Sequence, residues 1–106
     1  MTSTTGAKVG IMISAQAGTD SFEQGLAAAA NALQNGAQVY LYCIDSGVEG
    51  ISDPRFAKLK NAGVHLFACA YSLQRRGLNA PSEATLAGLT ILSDIMASAE
   101  RFESFN

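Results

Sequence analysis

The sequence contains little charge and no concentrated patch of either sign. Only 15% of its 106 residues are Asp, Glu, Lys or Arg, against about 25% in an average soluble domain. The net charge is -2, and Arg75 and Arg76 are the only adjacent basic residues. A nucleic-acid interface needs a patch of Lys and Arg, so we expect no direct contact with nucleic acid. A surface this poor in charge instead favours contact with other subunits.

Long apolar segments are missing as well. No run approaches the roughly 18 residues of a membrane-spanning helix. The polar stretch 1–7 lacks the cationic and apolar regions of a signal peptide. We therefore expect no membrane partner. The two cysteines, Cys43 and Cys69, are expected to be free thiols in a reducing cytoplasm.

Recognisable cofactor and metal motifs are also absent from the sequence. There is no GxxxxGK[ST] motif and no GxGxxG motif, and the loop at 14–18 contains a single glycine. Two cysteines and one histidine are scattered without the spacing of metal ligands. The sequence predicts neither a cofactor nor a metal site.

His65, the only histidine, is poorly placed to activate Cys69. On a strand, residues four apart are roughly 13 Å from each other, at about 3.3 Å per residue. A general base must lie within about 3 Å of the proton it removes, or act through one water. The spacing therefore disfavours a Cys–His pair and a Ser–His–Asp hydrolase, and it indicates a structural histidine in the sheet.

What the sequence does contain is a regular alternation of strand and helix patterns. The predicted elements are a strand at 8–14, a helix from Asp20 to Gly36, a strand at 37–44, a loop at 45–52, a helix from Asp53 to Gly63, a strand at 64–70, a helix ending at Gly77, a turn at 79–85, a strand at 89–92, a helix at 94–100 capped by Ser93, and an edge strand at 101–106. Asp20 and Glu23 are predicted to form a capping box. The alternation, without repeats or linkers, predicts one domain over 1–106. Its expected fold is a flavodoxin-like, three-layer α/β sandwich with a mostly parallel five-stranded sheet.

Cys69 is the main candidate for chemistry because it ends the third predicted strand and begins a helix. Ligands of parallel sheets gather at the carboxyl ends of strands. A helix N-terminus can lower a cysteine pKa from about 8.5 into the range of about 3.5–7.5. A thiolate is the form that a nucleophile or a persulfide carrier needs. From position alone, a functional thiol and an inert buried cysteine remain equally open, whereas Cys43 inside the second strand is expected to be a small buried apolar residue.

Arg75 and Arg76 lie near the other end of the helix that follows Cys69. Six residues of helix correspond to about 9 Å of axial rise, which is too far for direct contact with the thiol. Two interpretations remain for the pair. They form a solvated or salt-bridged helix end, or they face another subunit or an acidic partner.

The segment 69–78, Cys-Ala-Tyr-Ser-Leu-Gln-Arg-Arg-Gly-Leu, resembles the active-site segment of the DsrE/TusD branch of the DsrE/DsrF-like family. In that branch a cysteine at a strand end precedes a helix closing in Arg-Gly or Arg-Arg-Gly. The family's opening unit resembles segment 17–20. Its second strand with the following Gly-Val loop resembles segment 40–48, and its final elements resemble segment 88–105. The resemblance covers nearly the whole chain.

This resemblance implies a compact α/β sandwich that forms trimers or hexamers of identical or related chains. It also implies that Cys69 carries sulfur as a persulfide, with sulfur donor and acceptor proteins as partners, in tRNA thiolation or sulfur metabolism. Arg75, Arg76 and Gly77 are motif neighbours without an assigned role. The leading hypothesis is a sulfurtransferase-type carrier acting through Cys69. The alternatives are a non-catalytic oligomeric binding or assembly module with Cys69 buried, and a small-ligand or redox sensor that uses the same thiol.

Overall fold

A parallel sheet forms the middle layer of the molecule. Within residues 6–106, the part of the chain that the computed structural model describes, the strands are β1 (Lys8–Ile13), β2 (Gln38–Cys43), β3 (His65–Cys69), β4 (Thr85–Ala87) and β5 (Arg101–Phe105). They lie in the order β4-β3-β2-β1-β5, and each pairing is parallel. The sheet is therefore parallel throughout the described residues.

Helices cover both faces of this sheet. In the same part of the chain they are α1 (Asp20–Gln34), α2 (Pro54–Asn61), α3 (Ala70–Arg75) and α4 (Leu89–Ser98), with a 3₁₀ helix at Asp45–Gly50. The larger core joins α1 and α2 to one face through Phe22, Leu26 and Phe56. The smaller core joins α4 to the other face through Leu92 and Ile95. These three layers confirm the predicted α/β sandwich.

The strand order explains why α4 lies apart from the other helices. From β1 to β4 the chain moves across the sheet in one direction, and after α4 it returns to place β5 beside β1. Parallel crossovers are right-handed, so reversing the direction of travel moves the connecting helix to the opposite face. The fold is doubly wound like that of flavodoxin, although flavodoxin itself has the strand order 2-1-3-4-5.

The helix boundaries follow from local capping, with one correction to the prediction. Asp53 caps α2 by accepting a hydrogen bond from the Arg55 amide, and Gly36 takes a φ of 87° just after α1. The predicted capping box of Asp20 and Glu23 is wrong. Thr19 is the cap, and its hydroxyl accepts from the Phe22 amide at 3.3 Å. Glu23 lies one position too far along α1 to reach back to this cap, and its carboxylate pairs with Arg55 at 2.6 Å.

The predicted strand at 89–92 is also wrong, since these residues open α4. A short apolar run fits a strand and a buried helix equally well by periodicity alone. In the folded chain Leu92 and Ile95, three positions apart, face the sheet. The fourth strand is instead the three-residue β4, which lies within the predicted turn at 79–85 and just beyond it. Ser93, the expected cap, lies inside α4, and Gly88 occupies the cap position.

The two ends of the chain and the loop at 45–52 agree with the sequence where the structure describes them. The edge strand expected at 101–106 is confirmed as β5, which pairs with β1. The loop expected at 45–52 contains the 3₁₀ helix. The loose terminus predicted for 1–7 lies mostly outside the described residues, although the Gly6 amide donates to the Gly36 carbonyl at 2.8 Å. No helix within residues 6–106 has the length and apolar character needed to cross a membrane.

Candidate functional site

Cys69 lies where β3 becomes α3. It is the last residue of the strand and the N-cap of the helix, and it pairs with Ala87 of β4. Its side chain faces the smaller core, between the sheet and α4, together with Tyr42 and Leu92. Only 2% of the residue is exposed. The thiol is thus at the carboxyl edge of the sheet, as the sequence predicts, and is covered by protein.

Polar groups surround the sulfur on the side of α3 and β2. Burial by itself raises the pKa of the Cys69 thiol. Hydrogen bonds from the Ser72 hydroxyl and amide, the Tyr42 hydroxyl and the Tyr71 amide outweigh burial and bring the pKa of Cys69 below its ordinary value. The side chain makes no regular helix-capping hydrogen bond. Among the donors beside the sulfur, the hydroxyls of Ser72 and Tyr42 are the two that belong to side chains.

Ser72 is the one polar residue in the buried set of the described chain, with 2% exposure. It stands at the third position of α3, and a side chain at this position reaches back toward the N-cap, which here is Cys69. Its hydroxyl oxygen accepts a hydrogen bond from the Asp45 amide at 3.0 Å. Ser72 therefore connects the end of β2 to the cysteine at the end of β3.

Asp45 presents its amide to Ser72 from an unusual backbone conformation. Its φ is 52°, and it is the only non-glycine residue between Gly6 and Asn106 with a positive φ. Left-handed backbone at a non-glycine residue costs about 1–3 kcal/mol, and such strain is concentrated at functional sites. The conformation turns the chain directly from β2 into the 3₁₀ helix beside α3.

Tyr42 is fully buried, and its hydroxyl lies between the sulfur and the junction of β4 and α4. The hydroxyl is 3.0 Å from the Gly88 carbonyl oxygen and 3.3 Å from that of Ala87. Burial and the neighbouring Cys69 raise the pKa of Tyr42, so the phenol keeps its proton. A protonated hydroxyl beside a thiol of lowered pKa is a hydrogen-bond donor to the thiolate.

The two arginines of the motif have partners other than the thiol. Arg76 donates from Nε to Glu49 Oε2 at 3.0 Å, and from Nη1 to the Ser72 carbonyl at 3.5 Å. The Arg75 guanidinium lies 5.8 Å from the centre of the Tyr71 ring. Arg76 thus follows the salt-bridged interpretation and ties α3 to the 3₁₀ helix.

His65 and Cys43 lie outside this cluster. His65 is exposed at the start of β3, the opposite end from Cys69, and its ring stacks on Tyr40 at 4.3 Å. Cys43 is fully buried in the larger core, and burial raises its pKa to about 12. Both placements agree with the structural roles expected from the sequence.

Ser72 and Tyr42 belong to the site, but the sequence does not predict them. Ser72 has a detectable local signal, because a serine three residues after a helix N-cap reaches back toward that cap. Tyr42 has none, since its approach to Cys69 depends on the register between β2 and β3. Within residues 6–106 no group of three or more His, Cys, Asp or Glu side chains is arranged to hold a metal ion.

Comparison with known proteins gives a fold neighbour and a family. The crystal structure of the YchN protein from Escherichia coli superposes with a TM-score of 0.77 at 19% sequence identity, and the match covers 94% of this chain and 99% of that chain. At this identity the likeness shows the fold alone. No curated protein matches the chain by sequence. The sequence model of the DsrE/DsrF-like family matches residues 7–103, and the chain therefore belongs to the DsrE/DsrF-like family.

Proposed function

We propose that this protein is a sulfur-relay carrier that receives sulfane sulfur as a persulfide on Cys69 and passes it to a partner thiol. Family membership supports a role in sulfur relay. The observation that carries the assignment to Cys69 is its pair of hydroxyl partners, Ser72 and Tyr42, which favour the thiolate although the side chain is buried. Cys43 has no such environment, because apolar neighbours hold it as a neutral thiol.

The transfer needs no oxidant and no cofactor. The Cys69 thiolate attacks the terminal sulfur of a donor persulfide, a bond forms between Sγ and that sulfur, and the donor's S–S bond breaks. The electron pair of the broken bond leaves with the donor, which departs as a thiolate. The second transfer repeats these steps, with the acceptor thiolate attacking the terminal sulfur on Cys69 and Sγ leaving as a thiolate.

Access to Cys69 requires a local opening, since only 2% of the residue is exposed. The junction of β4 and α4 is the part of the cover that favours opening. Gly88 is exposed there, and an added Cβ would find no atom within 4 Å. Leu89, which follows it, is 63% exposed. Segments with few packed neighbours open at low free energy.

The proposed partners are a persulfide donor, an acceptor thiol protein and further copies of this chain or related chains. Exposed large apolar side chains support assembly, and four of them lie on or beside the strand and helix nearest the site: Leu86, Leu89, Ile91 and Met96. Contiguous exposed apolar surface is typical of subunit contacts. The resemblance noted for the sequence suggests trimers or hexamers.

A carrier that keeps free thiols fits a cytoplasmic location.

A specific observation also favours the second candidate, a non-catalytic oligomeric assembly module. Cys69 is nearly as well covered as the structural Cys43, and a thiol that never opens to solvent cannot exchange sulfur. The two candidates differ in whether Cys69 reacts in the native protein. Native-state reactivity therefore decides between them.

Persulfide loading tests the proposal directly. The protein is incubated with glutathione persulfide, and intact-mass and peptide mass spectrometry locate any added sulfur. We expect one added sulfur atom on Cys69 in the wild type and in Cys43→Ala, and none in Cys69→Ser. An unmodified Cys69, under conditions where a known persulfide carrier loads, would refute the carrier role and favour the assembly module. A sulfenate or disulfide formed with peroxide, without sulfur loading, would indicate a redox sensor instead.

A further inference from the structure

We propose that Ser72 and Tyr42 are positioning residues that hold the Cys69 sulfur as a thiolate, with Ser72 as a permanent donor and Tyr42 as a conditional one. This inference rests on the proposed carrier function and assigns to the two hydroxyls a specific step in it. That step is the release of sulfur from Cys69 to the acceptor.

The direction of the Ser72 hydrogen bond follows from counting donors and acceptors. A serine hydroxyl has one hydrogen and two lone pairs. The Asp45 amide can only donate, and it already occupies one lone pair of Ser72 Oγ at 3.0 Å. The hydroxyl hydrogen is therefore free for another acceptor, and the sulfur of Cys69, the N-cap three residues before Ser72, is the acceptor beside it. At 2% exposure, solvent water does not compete for this hydrogen.

The backbone of Asp45 makes this donor permanent. The Asp45 amide donates to Ser72 on α3 at the point where the chain leaves β2, which ends at Cys43. The φ of 52° at Asp45 then turns the chain into the 3₁₀ helix, which begins at this residue. A strained residue that fixes the orientation of a buried hydroxyl is a form of preorganisation. Because the Asp45 amide occupies Ser72 Oγ whatever the state of the cysteine, the proposed Ser72 donor is available to both the thiol and the thiolate.

Tyr42 differs because its single proton has several acceptors. The carbonyl oxygens of Gly88 and Ala87 lie at 3.0 and 3.3 Å, and the Cys69 sulfur is the third. A neutral thiol is a weak acceptor, so the phenol then donates to Gly88. A thiolate is a charged acceptor and binds the proton more strongly than a carbonyl does. Gly88 is exposed, and water replaces the lost hydrogen bond at its carbonyl.

The hydroxyls of Ser72 and Tyr42 favour the state of Cys69 that has given up its sulfur, in which Sγ is a thiolate. In a bound persulfide the negative charge lies on the terminal sulfur, one bond beyond Sγ, and Sγ carries little charge for the hydroxyls to stabilise. When the acceptor thiolate takes the terminal sulfur, the electron pair of the S–S bond moves to Sγ, where Ser72 and Tyr42 donate to it. A leaving thiol of lower pKa departs faster. The two hydroxyls therefore promote release more than capture.

The rate of alkylation of Cys69 as a function of pH tests the proposed donors without any persulfide. Iodoacetamide is the probe, and peptide mass spectrometry separates Cys69 from Cys43. We expect Ser72→Ala to raise the alkylation midpoint by about one pH unit, the loss expected for a hydrogen bond to a charged group. Ser72→Thr, which keeps the hydroxyl, should restore the midpoint. Tyr42→Phe should raise it by a smaller amount, and Ser93→Ala on exposed α4 should leave it unchanged.

Several outcomes would overturn the assignment. A wild-type midpoint in Ser72→Ala would exclude the hydroxyl as a thiolate donor, and equal changes in Ser72→Ala and Ser72→Thr would indicate a purely structural role. If circular dichroism shows that Ser72→Ala does not fold, Tyr42→Phe is the variant that tests the proposal. An unchanged alkylation midpoint in folded Tyr42→Phe would also refute the proposal that Ser72 and Tyr42 donate to the thiolate.

The release step has a separate readout. Cys69 is loaded with glutathione persulfide, and the transfer of its sulfur to excess dithiothreitol is timed. We expect release to slow about threefold in Ser72→Ala, from the weak dependence of exchange rates on the pKa of the leaving thiol. Wild-type release rates in this variant would contradict the release step. If the wild type fails to load at all, the carrier function falls, whereas the alkylation midpoints still decide whether Ser72 and Tyr42 hold a thiolate.

Discussion

Cys43 and Cys69 are the same residue type at equivalent places, each the last residue of a strand, yet their surroundings move their pKa values in opposite directions. Cys43 faces the larger core, where burial raises its pKa to about 12. Cys69 faces the smaller core beside two hydroxyls, and its pKa is lowered. Adjacent strands in register here present cysteines to opposite faces, because Cys43 pairs with Ala68 and not with Cys69. One residue of offset decides which thiol can react.

The raised pKa of Cys43 predicts a specific loss of stability in alkali. The folded chain holds Cys43 protonated up to about pH 12, whereas an exposed thiol ionises near its reference value of 9.0. Its contribution is thus complete below pH 9 and is lost as the pH rises from 9 toward 12. In this window the free energy of unfolding of the wild type should fall relative to Cys43→Ala by roughly 1.4 kcal/mol per pH unit.

Urea unfolding of both proteins at each pH measures this difference. All other titratable groups are common to both proteins, so their contributions cancel in the comparison. Parallel stability curves for the wild type and Cys43→Ala between pH 9 and 12 would contradict the burial of the Cys43 thiol.

At the scale of elements, the 3₁₀ helix Asp45–Gly50 builds the edge of the sheet next to the site. Gly47 permits its close approach to β1, since a Cβ at Gly47 would lie 2.1 Å from the Ile13 carbonyl oxygen. The Ile44 amide donates to this same oxygen at 3.0 Å. The 3₁₀ helix in turn contacts α3 and bears Glu49, the partner of Arg76. The position of Asp45, and with it the orientation of Ser72, depends on this packing.

Gly47→Ala should therefore destabilise the fold and disturb the site together. The added methyl group meets backbone atoms that cannot rotate away, so we expect a loss of about 3 kcal/mol or more, the upper end of overpacking effects. Gly88→Ala is the matched control, because an added Cβ there meets nothing within 4 Å and its φ is -95°. Chemical denaturation measures both variants. A wild-type unfolding midpoint in Gly47→Ala would contradict the close packing of the 3₁₀ helix on β1.

At the scale of the whole molecule, half of the large apolar side chains that remain exposed among the described residues lie on α4: Leu89, Ile91 and Met96. Leu89 is 63% exposed and Met96 is 52% exposed. Leu86 of the edge strand β4 is 59% exposed, but it pairs with Ala68 of the larger core and lies on the other face of the sheet. With charged residues at only 15% of the chain, few charges oppose contact at this surface. These features support the proposed assembly through the α4 side.

Leu89→Glu should weaken this assembly by placing a charge where a neighbouring chain is expected to pack. Sedimentation velocity at several concentrations should show an oligomer for the wild type and smaller species for Leu89→Glu. Gln24→Glu adds the same charge on the exposed side of α1 and should sediment like the wild type. A wild type that stays monomeric at high concentration, or a Leu89→Glu variant with unchanged assembly, would refute the α4 side as the interface.

The sequence by itself determines the α/β alternation, the parallel sheet and the placement of Cys69 between β3 and α3, because strand periodicity, helix caps and glycine stops depend on near neighbours. It does not determine that 89–92 is helical, since a short apolar run lacks a decisive period. Only the tertiary structure brings Tyr42 to Cys69 and turns the Asp45 amide toward Ser72. Those contacts depend on strand register and on the packing of α3 against the 3₁₀ helix, which join residues 27 positions apart, and no local pattern encodes them.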